Sequence, residues 1–196
     1  RYLAGDDLRQ PEVQNTAVLR KAKQLGYEYV HLDSSVLLTR RNAYADVQLL
    51  RNSSIDLLLN DFSAGLLRSS LAAPVVEVAG FYLHGWWAVS GREQFQNNMS
   101  LLKAHVDNPE PTFTFNHNFP PHPPYIFDRD GNFPDESKFA YGVPGGDEKN
   151  TELYIDSLIY INKRIEEVVD HLIERSDVQP IIIIQGDHGT STQTDI

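Results

Sequence analysis

A chain of 196 residues with 41% hydrophobic residues has enough apolar material for one domain with a buried core, so disorder is not the expectation. Its 17 basic residues stand against 27 acidic ones, and the formal net charge of -10 argues against sequence-independent binding to nucleic acid. The absence of cysteine excludes disulfides and thiol chemistry, without fixing a compartment.

Arg1 is not a methionine, and no charged segment followed by an apolar one precedes Tyr2, so the chain reads as a piece of a longer protein. The first predicted element is a helix over Pro11 to Leu25, with Pro near its start, Val18, Ala22 and Leu25 at helical spacing, and Gly26 as a left-handed cap. Tyr27 to Leu32 alternates as a strand and is closed by Asp33-Ser34-Ser35. Ile55, Leu58, Leu59, Phe62 and Leu66 follow a helical stripe behind the possible caps Ser53 and Ser54. The apolar window from Leu71 to Val89 is broken by Pro74, Glu77 and His84, and no membrane anchor is visible.

Ser90-Gly91-Arg92-Glu93 forms a capping box, and Phe95, Met99, Leu102 and Val106 line one face of the helix it opens. Asp107-Asn108-Pro109 stops that helix, and Thr112 to Phe115 alternates as a strand running into a proline-rich stretch. Tyr125 to Asn150 is rich in turn-formers and charge, which predicts a long surface excursion of the kind that often carries function. Tyr154, Leu158, Ile161, Ile165, Val168, Val169 and Leu172 mark the strongest helix. It feeds Ile181 to Ile184, an unbroken β-branched run read as a strand buried on both faces. The succession predicts an α/β fold with a mainly parallel sheet flanked by helices, and no internal repeat is present.

Asp187 and His188 follow the isoleucine run between Gly186 and Gly189, where the carboxyl end of a strand would present them to a ligand. A loop Asp-His that caps a helix or meets water is the competing reading. If the Thr112 to Phe115 strand runs parallel to the isoleucine strand, His117 and His122 open at the same edge, and the four residues could converge. One carboxylate with neutral imidazoles suits a divalent ion of the zinc or manganese kind, whereas an all-oxygen set suits calcium or magnesium. Two ligands are too few for a site, since a catalytic zinc takes about three from the protein.

His122 sits in Pro120-Pro121-His122-Pro123-Pro124, a stiff spur able to aim one ring, or a proline-rich turn with a solvated histidine. His117 may do no more than bond a backbone carbonyl, and His31, His84, His105 and His171 read as structural or surface residues. Thr39-Arg40-Arg41-Asn42 is a polar loop in which a guanidinium could grip a phosphate or sulfate by two parallel hydrogen bonds. Thr39 has a nucleophilic hydroxyl, but sequence places no general base beside it. There is no Gly-x-Ser-x-Gly elbow and no P-loop.

Three stretches together resemble the middle and C-terminal part of the catalytic domain of sulfatase-like hydrolases in the alkaline phosphatase superfamily. The bacterial branch that holds lipoteichoic acid synthases and phosphoethanolamine transferases is the nearest in pattern. The stretches are Leu25 to His31 with Thr39 to Asn42, then Pro121 to Tyr125 with Asp128-Arg129-Asp130-Gly131-Asn132, then Tyr154 to His188 ending in Gly186-Asp187-His188-Gly189. The resemblance implies an alkaline-phosphatase-like but incomplete domain over residues 1–196. It also implies a metal-dependent hydrolase or transferase acting on sulfate or phosphate esters. Asp187 and His188 would be ligands of a divalent zinc, manganese or calcium ion. His122 would contact the ester, and Arg41 and Asn42 would form part of the substrate wall.

The acidic metal ligand and the nucleophile that the family carries on its first strand and the following turn are not found here, and are expected upstream of Arg1. By itself the chain is therefore expected to be inactive. The resemblance to envelope enzymes suggests an extracytoplasmic or membrane-anchored protein. A non-catalytic binding or scaffold module that keeps the fold without the nucleophile is the alternative.

Overall fold

In the computed structural model, residues 14–36, 39–50, 91–134 and 146–186 are described. The expected helix around Ile55 to Leu66, the broken apolar window from Leu71 to Val89, and Asp187 and His188 lie outside them. The chain divides into two compact units. One takes in Arg1–Asn98 with Asn108–Phe119, the other Met99–Asp107 with Pro120–Ile196.

The first unit is built on three strands. Helix α1 is Ala17–Gln24; of the expected Pro11 to Leu25 helix, residues 11–13 lie outside the described ones, Gln14 is helical, and Asn15 and Thr16 interrupt it. Thr16 decides where it begins: its backbone is extended, and its side-chain oxygen accepts from the Leu19 amide at 3.2 Å. Gly26, at φ 86°, closes the helix in the left-handed region as the sequence anticipates.

Strand β1, Glu28–Leu32, follows at once, and β2, Val47–Leu49, and β3, Thr112–Phe115, flank it in the order β2-β1-β3. Both neighbours pair in parallel, with Val30 opposite Val47 and Val30 opposite Thr114. The parallel α/β class expected from sequence is thus present as a small sheet. β2 was not legible, because three half-exposed residues give no periodic signal.

Tyr29, Val30, His31 and Leu32 are all buried, so β1 is covered on both faces, as a central parallel strand must be. Asp46 locks its flank. The Asp46 amide donates to the Tyr29 carbonyl at 2.9 Å, and its carboxylate accepts from the Tyr29 amide at 2.8 Å and from the Lys23 ammonium at 2.7 Å. The Lys23 bond first, and the Tyr29 amide second, hold this carboxyl below its ordinary range.

Residues 91–104 are helical (α2), and Phe95 and Asn98 on it are buried. The Asn98 side-chain amide donates to the Asp33 carbonyl at 2.9 Å, to Asn116 Oδ1 at 3.0 Å and to Asn118 Oδ1 at 3.2 Å. Two hydrogens shared among three oxygens tie the helix to the chain leaving β1 and the chain leaving β3.

The second unit is dominated by α3, Gly146–Arg175. The helix starts earlier than its apolar stripe, so the surface excursion expected up to Asn150 is shorter than the sequence suggests. Periodicity marks only the turns that pack; here Leu153, Ser157, Ile161 and Val168 are the buried positions. Tyr125, Ile126 and Phe127 are buried too, with Phe127 against Tyr160 at 4.7 Å between ring centroids and Tyr125 edge-on to Tyr154 at 6.1 Å.

Beyond Phe127 the chain turns tightly. Asp128 Oδ1 accepts from the amides of Asp130 at 2.9 Å and Asn132 at 2.7 Å, and Gly131 takes φ 85°. Arg129 forks onto Asp156 of α3 at 2.7 and 3.0 Å, which anchors this turn to the helix.

The isoleucine run corrects an expectation. Ile181 to Gly186 forms no strand among the described residues, and Ile181, Ile183 and Ile184 are 92%, 82% and 65% exposed. β-branched residues favour an extended backbone, but a strand exists only where a neighbour supplies its hydrogen bonds. Composition cannot provide that neighbour.

The two positive-φ glycines differ in surroundings. A Cβ on Gly131 would press into the Tyr160 ring, while one on Gly26 would meet nothing within 4 Å. Gly131→Ala is expected to cost about 1–3 kcal/mol of backbone strain, with a steric penalty added. Gly26→Ala carries the strain alone, so thermal or urea midpoints of the two variants should rank Gly131→Ala as the less stable.

Candidate functional site

Because β2, β1 and β3 are parallel, their carboxyl ends share one edge of the sheet, the edge at which α/β proteins collect ligands. The residues after β1 and those after β3 both leave from it. Alternation along β1 puts Tyr29 and His31 on one face, and the register sets them beside Phe113 and Phe115 of β3. The Tyr29 and Phe113 rings lie 5.6 Å apart, and His31 stacks on Phe115 at 5.5 Å with 17° between the planes.

His31 is 2% exposed, and both of its ring nitrogens are engaged. Nε2 lies 2.8 Å from the Thr39 carbonyl, which can only accept, so Nε2 carries the hydrogen. Nδ1 is then the acceptor for the Tyr29 hydroxyl at 2.8 Å. The Tyr29 oxygen accepts in turn from the Asn42 amide at 3.4 Å, and the same amide group donates to the Gln14 carbonyl at 2.9 Å. Asn42 Oδ1 receives the Tyr44 amide at 2.9 Å, an Asx turn that holds the side chain in place.

Burial sets the protonation of this chain. It pushes the His31 imidazole below its ordinary value, against the opposing pull of the Thr39 carbonyl and the Asp33 charge. It pushes the Tyr29 phenol up to about 12, with the Asn42 bond opposing. Both groups are therefore neutral around pH 7, as the hydrogen-bond directions require. The expected structural role of His31 is what the structure shows.

The carbonyl that His31 holds belongs to Thr39, whose hydroxyl meets a second histidine. Thr39 Oγ1 lies 2.6 Å from His117 Nδ1, with Ser34 Oγ at 3.2 Å and the Val36 carbonyl at 3.4 Å. His117 follows β3, so the sheet brings two residues 78 positions apart into a hydroxyl–imidazole pair. Sequence offered Thr39 without a base and His117 with a carbonyl partner. The pairing depends on the parallel register, which neither residue's neighbours encode.

Thr39, Arg41 and Asn42 line one cavity with Tyr29, His31 and the two phenylalanines of β3, and its volume is about 240 Å³. An apolar cavity of roughly 150 Å³ is enough to hold a benzene ring, so a small organic molecule fits. Arg41 is exposed and has no ion-pair partner among the described residues. Arg41 and Asn42, adjacent in sequence, both line this cavity.

His122, in the second unit, is exposed on its proline spur, and its Nδ1 lies 2.7 Å from the Pro123 carbonyl. A carbonyl can only accept, so Nδ1 carries a hydrogen. The buried Tyr125-Ile126-Phe127 segment roots the spur. Among the described residues no group of three or more His, Asp or Glu side chains could hold a metal ion, and no helix is long and apolar enough to cross a membrane. Comparison with protein families, with curated proteins and with solved structures returns no match.

The neutral relay has a pH signature. His31 is depressed from 6.5 in the folded chain, so its contribution to stability is complete above pH 6.5 and is lost as pH falls and the unfolded chain alone takes up the proton. Tyr29 is raised from 10.0 to about 12, so its contribution is complete below pH 10 and is lost as pH rises from 10 to 12. Urea midpoints measured between pH 5 and pH 8 should fall on the acid side in the parent chain. His31→Gln should lower the midpoint at pH 8 and flatten that acid limb.

Proposed function

We propose that this chain is the central and C-terminal part of the catalytic domain of a sulfatase-like, metal-dependent enzyme that hydrolyses or transfers sulfate or phosphate esters. The three-stranded parallel sheet is then one portion of a larger alkaline-phosphatase-like sheet. The observation that carries the reading is the cavity at the carboxyl edge, where Arg41 and Asn42 stand beside the Thr39–His117 pair. A net charge of -10 makes such a local cation necessary for any anionic substrate, since the field of the whole chain repels it.

Each residue then has a definite task. The Arg41 guanidinium grips two oxygens of a sulfuryl or phosphoryl group by parallel hydrogen bonds. Asn42, held by the Tyr44 amide and the Gln14 carbonyl, shapes the wall beside it. His122, on its proline spur, contacts the ester. Asp187 and His188 supply one carboxylate and one imidazole, a donor set that suits zinc or manganese and needs at least one further ligand from residues preceding Arg1. When bound, such an ion neutralises charge on the ester oxygens and activates the nucleophile.

The test compares the 196-residue chain with the full encoded protein, each supplied with zinc, manganese or calcium. Only the full protein is expected to turn over p-nitrophenyl sulfate or bis-p-nitrophenyl phosphate. Asp187→Ala and His188→Ala should each lower both bound metal and turnover, the latter by about 10²-fold or more. Turnover by the 196-residue chain that Asp187→Ala abolishes would show that the site is complete without the upstream residues. Metal binding and turnover untouched by both substitutions would sink the assignment.

A further inference from the structure

The Thr39–His117 pair is not used by the roles just given, and its geometry is specific. Thr39 lines the cavity; His117 does not, and meets the Thr39 hydroxyl at 2.6 Å. A hydroxyl between a cavity and an imidazole is arranged to pass a proton. The backbone of Thr39 is held from the other side by the buried His31, so the hydroxyl is positioned rather than free to swing. Arg41, two residues on, lines the same cavity.

We infer that Thr39 and His117 form a proton-transfer pair that serves the departing oxygen of an aliphatic phosphate or sulfate ester whose anionic group is held by Arg41. The inference rests on the ester chemistry proposed above and adds which residues protonate the leaving group and which class of alcohol requires it. Thr39 is the catalytic residue, because it touches the substrate. His117 acts through it.

With His117 protonated, its Nδ1–H donates to Thr39 Oγ1, and the threonine's own hydrogen turns from Ser34 Oγ and the Val36 carbonyl to the ester oxygen. As the incoming nucleophile bonds to phosphorus or sulfur, the bond from that atom to the ester oxygen breaks, and the ester oxygen takes the pair of electrons and the Thr39 hydrogen. Thr39 Oγ1 recovers a hydrogen from Nδ1, and His117 is left neutral. The incoming water or acceptor hydroxyl returns its proton along the same path, so the cycle has no net proton change. Ser34 Oγ, 3.2 Å from Thr39 Oγ1, gives the hydroxyl a second partner while His117 is neutral.

An aliphatic alkoxide is a poor leaving group and needs this proton, whereas p-nitrophenolate leaves without it. That contrast supplies the test, made in the metal-loaded full protein with a p-nitrophenyl ester and an alkyl ester of the same acid. Thr39→Val and His117→Gln should each lower kcat on the alkyl ester by about 10²–10⁴-fold more than on the aryl ester, the usual worth of general acid catalysis. The double variant should be no worse than either single one, since the two residues form one unit. Thr39→Ser, which keeps the hydroxyl, should restore most of the alkyl-ester activity.

Equal losses on both esters, additive losses, or no loss would overturn the inference while leaving the ester-hydrolase reading intact. Should the parent protein turn over neither ester, that reading falls and the proton-transfer role falls with it. If Thr39→Val fails to fold by circular dichroism, the Thr39→Ser and His117→Gln pair decides by the same contrast.

Discussion

The organisation of the first unit depends on one buried imidazole. His31 has no water around it, so each of its nitrogens must find a partner within the protein or carry an uncompensated desolvation cost of about 1–3 kcal/mol. Tyr29 meets one nitrogen and the Thr39 carbonyl meets the other. The first bond lies within the strand and fixes the tautomer. The second reaches eight residues on and ties down the segment after the strand, where Thr39, Arg41 and Asn42 lie. A polar group buried in the sheet thereby positions residues at its edge.

The same economy governs the rest of that edge. Asn98, fully buried, spends its amide hydrogens on the Asp33 carbonyl and on two asparagines that follow β3. Asp46 closes the other flank by accepting from the Tyr29 amide and the Lys23 ammonium at once. The bonds of Asn98 and of the Tyr29 amide satisfy groups that sheet formation has removed from water, and the Asn98 bonds hold the residues after β1 and after β3 together. The hydroxyl–imidazole contact between Thr39 and His117 is a product of that register.

In the second unit, packing rather than polar bonding sets the geometry. Tyr125, Ile126 and Phe127 are buried, two of them against aromatic rings of α3, and the prolines preceding them leave His122 exposed on a short spur. The Asp128 turn and the Arg129–Asp156 fork return the chain to the helix. Gly131 is confined to glycine for two reasons at once, a left-handed backbone and the face of Tyr160. The Asp128 to Asn132 stretch is therefore a folding motif, since its Asp, Arg and Gly have structural tasks of their own.

Local chemistry was sufficient for part of the fold. Gly26 as a cap, Thr112 to Phe115 as a strand, the long helix through Ile161 and the α/β class follow from periodicity and turn residues, and the structure has them. The start of α1 at Ala17 turned on the single Thr16 hydrogen bond, and β2 was too short to show a pattern. The isoleucine run marks the limit of such reading: four β-branched residues favour an extended backbone, yet no described neighbour pairs with them and three of the four are exposed. Arg41 and Asn42 could be proposed from residue type because guanidinium and amide chemistry is intrinsic to each side chain. The pairing of Thr39 with His117 could not, because a hydrogen bond between residues 78 apart is fixed by the parallel register of β1 with β3. Sequence alone determined which groups were available for chemistry, and tertiary structure decided which of them meet, since only the folded sheet brings distant strand ends to one edge.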